Sequence, residues 1–92
     1  MIKSFRHGGL ERFFKTGSKS GIQPAHAKKL QLLLFALNRA AQPLDMDLPG
    51  LNLHQLRGEL SGLWAVKVNG NWRLTFCFDG VDAILVDYRD YH

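Results

Sequence analysis

The chain has 92 residues, 46% of them hydrophobic and 22% charged, with a formal net charge of +4. These proportions exclude a disordered chain, and the length suits a single domain over residues 1–92 that buries roughly two-thirds of its unfolded surface. No apolar run approaches the ~20 residues of a membrane span, the stretch from Met1 to Arg6 lacks a signal-peptide core, and Cys77 has no internal partner for a disulfide, so a cytoplasmic protein without a membrane partner is expected.

Residues 2–6 alternate apolar and polar, which predicts a short strand near a sheet edge where Lys3 and Arg6 stay wet. Residues 8–16 predict a first helix. Leu10, Phe13 and Phe14 fall on one face, and Gly17 stands where a left-handed C-cap belongs. Pro24 opens a second helix, in which Ala27, Leu30, Leu34, Leu37 and Ala41 recur at helical spacing and Leu33 widens the stripe. Such a stripe is the face that packs on a sheet. Residues 42–53 contain Pro43 and the pair Pro49-Gly50, so they form a connecting loop tacked to the core by Leu48, Leu51 and Leu53.

The last thirty residues organise the rest. Three runs rich in Val, Ile, Leu, Phe and Trp are separated by Asn69-Gly70-Asn71 and by Asp79-Gly80. These are hairpin turn signals, and they predict a meander of three antiparallel strands. The fold class is therefore α+β, with two N-terminal helices on one face of an antiparallel sheet. On the middle strand, Trp72, Leu74, Phe76 and Phe78 share the face toward the helices, and Arg73, Thr75 and Cys77 share the other. Little chain is left to cover that second face, which makes it a candidate anion site.

Charge is divided unevenly along the chain. Residues 1–39 hold eight basic side chains against Glu11 alone, and residues 40–92 hold four basic against seven acidic. A basic half favours a polyanionic partner through counterion release, although it also describes a solvated helix face. His54 and His92 can donate or accept protons, and Arg57 and Arg73 can fork onto a phosphate. Asp90 can orient an imidazole or guanidinium, and Tyr91 can stack on a base. Together these groups suit metal-free RNA cleavage by 2′-hydroxyl attack. The plainer reading has His7 and His26 as satisfied structural histidines, Arg73 as a surface partner of Asp87 or Glu59, and Cys77 as inert packing. The four histidines, at 7, 26, 54 and 92, lack metal-ligand spacing, so neither a metal nor another cofactor is expected.

Four segments carry a family resemblance: Met-Ile-Lys-Ser-Phe at the N-terminus, Leu-His-Gln-Leu-Arg-Gly-Glu-Leu-Ser-Gly-Leu-Trp, Val-Lys-Val-Asn-Gly-Asn-Trp-Arg-Leu-Thr-Phe, and the ending Val-Asp-Tyr-Arg-Asp-Tyr-His. They resemble the HigB group of the RelE/ParE superfamily of toxins, over the whole chain. The resemblance implies a microbial-ribonuclease-like fold and a toxin that cuts mRNA in the A site of the 70S ribosome. It also implies a HigA-like helix-turn-helix antitoxin as partner. Residue by residue, the family's functional positions fall on His54, Arg57, Arg73, Asp90, Tyr91 and His92. Lys67 and Asn71, with Lys28 and Lys29 of the second helix, are the candidate RNA contacts. Some members carry a basic residue in the turn where this chain has Asn69, so either a phosphate contact is missing or Lys67 replaces it. Two other readings share the fold: a ParE-like gyrase inhibitor that cuts no RNA, and a non-toxic module that keeps only the antitoxin-binding surface.

Overall fold

The computed structural model describes residues 1–58 and 62–91; Glu59, Leu60, Ser61 and His92 lie outside the described residues. Helix α1 runs Gly8–Thr16. His7 caps it, its Nδ1 accepting from the Leu10 N–H at 2.9 Å. Gly17 ends it in the left-handed conformation, its N–H donating to the Phe13 carbonyl at 2.8 Å. Leu10 and Phe13 are buried, and Phe14 packs its ring 5.6 Å from that of Phe5.

Pro24 starts a short 3-10 turn, Pro24–His26, that leads into α2, Ala27–Arg39. The buried stripe is Ala27, Leu30, Leu33, Leu34 and Leu37, continued by Ala40. The stripe stops one residue short of the expected Ala41, which is exposed. Ala40 turns extended, and the Ala41 N–H donates to Asp45 Oδ2 at 2.8 Å instead of to a helical carbonyl. Leu30 and Leu37 are fully buried, and each contributes about 1.5–3 kcal/mol through the surface it removes from water.

The loop after α2 contains a second 3-10 turn, Pro43–Met46, that drives Met46 wholly into the core. Leu51 is buried and Leu53 partly so, but Leu48 is 43% exposed and does not anchor the loop as expected. Four antiparallel strands follow in sheet order: β1 His54–Gln55, β2 Trp64–Asn69, β3 Trp72–Asp79 and β4 Asp82–Asp90. The meander gains β1 as an extra edge strand. Both hairpins close through two residues, with Gly70 at φ 56° and Gly80 at φ 64° supplying the positive φ at the first loop position. The N-terminal segment lies beside β4 through parallel bridges from Ile2 to Ala83 and from Phe5 to Val86, an edge as expected.

The two faces of the sheet differ. Val66, Leu74, Phe76, Val86 and Tyr88 meet the helices in one core. The other face is only partly open, contrary to the sequence reading. Ala65 and Thr75 stand there fully buried, and the Thr75 hydroxyl finds no hydrogen-bond partner among the described residues. These are small side chains flanked along the chain by larger ones: Leu63 just before β2 and Lys67 on it, Arg73 and Cys77 on β3. The cations therefore flank a buried centre on this face.

Candidate active site

His54 is exposed on β1, in register with Ala65, which pairs with Thr75, which pairs with Asp87. Paired residues share a face, so His54 belongs to the face away from the helices. Its Nδ1 lies 2.9 Å from the Asn52 carbonyl oxygen. A carbonyl only accepts, so Nδ1 carries the proton, and in the neutral ring Nε2 is the acceptor. Asn52 offers that carbonyl from a left-handed conformation, φ 51°. His54, Gln55, Leu56, Arg57 and Gly58 line an open hollow at this edge of the sheet.

The next row on the same face is Lys67, Arg73 and Arg89, one on each of β2, β3 and β4. Arg73 is braced by the hairpin turn: its Nη1 donates to the Gly70 carbonyl at 2.7 Å and to the Trp72 carbonyl at 3.0 Å. Among the described residues, Nε and Nη2 of the guanidinium have no hydrogen-bond partner and can meet an anion. Two strand spacings and two residues separate His54 from Arg73, roughly 12 Å between Cα atoms. Side chains of that length can converge on one phosphate from such a distance.

Tyr91 continues the ladder, its N–H donating to the Asn71 carbonyl at 2.8 Å, which sets it on the Arg73 face. Its hydroxyl is buried with no partner among the described residues. Asp90 pairs in register with Trp72 and so leaves its strand on the helix side, exposed at the sheet end. Asn71 is exposed in the turn. His92 lies outside the described residues. Lys28 and Lys29 belong to α2, which covers the opposite face, so the fold does not bring them to the Lys67–Arg73 row. Arg89 escaped the sequence reading because it lies next to the terminal motif. Strand alternation back from Tyr91 is the signal that finds it.

Other titratable groups have structural places. His26 is 7% exposed, and its Nδ1 sits 2.6 Å from the Tyr88 hydroxyl. His7 is the α1 cap. Arg89, not Arg73, takes the Asp87 carboxylate, Nε to Oδ2 at 2.9 Å. Burial pushes the Cys77 thiol up, Asp79 adds to the rise and Arg6 works against it, so this sulfur stays protonated and a poor nucleophile. Among the described residues no group of three or more His, Cys, Asp or Glu side chains could hold a metal ion, and no helix is long and apolar enough to cross a membrane.

The family described as the RelE-like toxin of the type II toxin–antitoxin system HigB matches residues 3–92. The chain is also 37% identical to an endoribonuclease HigB of Proteus vulgaris over all 92 residues, covering both proteins completely. Nothing in these likenesses supports the gyrase-inhibitor alternative. A type II system pairs its toxin with an antitoxin, so an antitoxin partner follows. With its full-length match, its helix-backed antiparallel sheet and its histidine beside a row of cations, the chain belongs to the HigB-like toxin family.

Proposed function

We propose that this chain is an endoribonuclease toxin that cuts mRNA in the ribosomal A site, in the cytoplasm, until a HigA-like helix-turn-helix antitoxin restrains it. The single observation that carries the chemistry is the fixed tautomer of His54, one row from Arg73 on the same sheet face. Nε2 of His54 takes the proton of a ribose 2′-hydroxyl, and the 2′-oxygen attacks the adjacent phosphorus. Arg73, steadied by the Gly70 and Trp72 carbonyls, holds the phosphate and meets the charge that grows on it in the transition state. Arg57, beside His54, and Lys67, beside Arg73, add to that field. The bond to the 5′-oxygen breaks, and the His92 imidazole of the terminal run supplies the proton that leaves with it. Asn71 contacts the RNA from the turn. The basic helix face with Lys28 and Lys29 is left for ribosomal RNA.

The test is cleavage of mRNA on programmed 70S ribosomes. Products should carry a 5′-hydroxyl and a 2′,3′-cyclic phosphate or 3′-phosphate. A single 2′-deoxy substitution at the attacking nucleotide should stop the cut. Undiminished cutting of the 2′-deoxy mRNA contradicts the proposal.

A further inference from the structure

Arg73 does not stand alone on its strand register. Lys67 on β2 and Arg89 on β4 are its direct partners, so three cations cross the sheet in one line. Directly opposed residues hold their Cβ atoms about 5 Å apart, and like charges there destabilise a sheet. Such a line costs stability unless anionic groups lie over it.

Asp87 is bonded into this line, and it fixes Arg89 through Nε. Its Oδ2 accepts from Arg89 Nε at 2.9 Å, and its Oδ1 accepts from the Tyr88 N–H at 2.8 Å. The Arg89 and Asp87 side chains are only 26% and 17% exposed, so the pair is held in place. A guanidinium has five N–H donors in a planar fork. Asp87 takes the Nε proton and leaves four on the Nη groups for a second anion. Adjacent strands are ~4.8 Å apart, so the line steps along on the scale of a nucleotide chain.

We propose that Arg89, held through Nε by Asp87, binds the RNA phosphate next to the cleaved one, so that Lys67, Arg73 and Arg89 grip the backbone in sequence. The inference rests on the endoribonuclease reading above and adds a phosphate subsite to it. Arg89 is a substrate-binding residue in this account, and Asp87 a positioning residue.

The test is single-turnover cleavage on programmed ribosomes with three mRNAs. One is natural, and the other two carry a neutral methylphosphonate at one or the other linkage flanking the cut. Arg89→Gln should cut natural mRNA roughly tenfold more slowly, the effect of losing a charge-assisted hydrogen bond. One of the two methylphosphonates should slow the wild type by the same factor and leave Arg89→Gln unaffected, as for a coupled pair. Arg89→Lys, which keeps the charge, should fall between them and still respond to that linkage. Equal slowing of Arg89→Gln on all three mRNAs means a purely structural role and overturns the proposal. So does an Arg89→Lys enzyme indifferent to both linkages, whether or not Arg89→Gln folds. A wild type that leaves natural mRNA uncut on ribosomes is a different result, and it overturns the parent reading as well.

Discussion

Tyr88→Phe removes one oxygen from the layer beneath the cation row. The hydroxyl it deletes lies 2.6 Å from His26 Nδ1, with Tyr88 4% and His26 7% exposed. The ring stays: it stacks on Trp72 at 4.4 Å and meets the edges of His7 and His26 at 5.4 and 6.0 Å. Apolar burial is therefore unchanged. What is lost is a buried hydrogen bond, and an imidazole nitrogen is left without its partner, at a cost of about 1–3 kcal/mol. For a domain of this size, that lowers the melting temperature by roughly 5–20 °C. The same hydroxyl provides a second readout. Burial pushes the Tyr88 phenol above its ordinary value of 10.0, against a backbone hydrogen bond from Gln23 that lowers it, while Asp90 raises it further. The folded protein thus keeps a proton that the unfolded chain releases first. The contribution is whole below pH 10 and is lost as the pH climbs through the folded value. Denaturant titrations followed by circular dichroism, at neutral pH and in steps through about pH 9–11, measure both effects. Wild type should be the more stable at neutral pH and should lose stability more steeply above pH 10. Equal stabilities at neutral pH, or parallel alkaline limbs, would mean that the Tyr88 hydroxyl does not stabilise the fold through His26.

Three further outcomes are expected. His54→Gln should slow cleavage by about 10²–10⁴-fold, while the melting temperature barely moves because the side chain is exposed; single-turnover kinetics and a melt on one preparation check both. Thr75→Val exchanges a buried hydroxyl that has no partner among the described residues for a methyl group, and should raise stability by about 1 kcal/mol in urea titration. Gly9→Ala places a Cβ 2.6 Å from the Gly21 carbonyl oxygen, backbone that must move, and should cost about 1–3 kcal/mol. Gly8→Ala, with nothing within 4 Å of its Cβ, is the control and should be neutral or slightly stabilising.

Helix α1 was legible to the residue because apolar spacing and a C-cap glycine agree there. The end of α2 was not, because a side chain beyond the helix, Asp45, captures the Ala41 amide, and periodicity carries no sign of that. The hairpins were legible from Gly70 and Gly80, and the faces of β3 followed from alternation. Two-residue β1 was not, since so short a strand is defined by its partner Trp64–Ala65 and not by its own pattern. The openness of the second face was overstated, because alternation assigns a side but not how deeply Ala65 and Thr75 are buried on it. Of the candidate site, His54, Arg57, Arg73, Asp90, Tyr91 and His92 could be named from the sequence as chemical groups. The common face of His54 and Arg73 needed the register, which also brought in Arg89 and set Lys28 and Lys29 apart.

The central claim is that this chain cuts RNA with His54 and Arg73 on the ribosome. The most direct measurement expresses it without an antitoxin and maps 5′ ends of cellular mRNA, for wild type, His54→Gln and Arg73→Gln. Wild type should produce new 5′ ends inside translated codons, lost when translation is blocked and strongly reduced in both variants. Growth arrest with unbroken mRNA, or variants that cut as well as wild type, would contradict that claim.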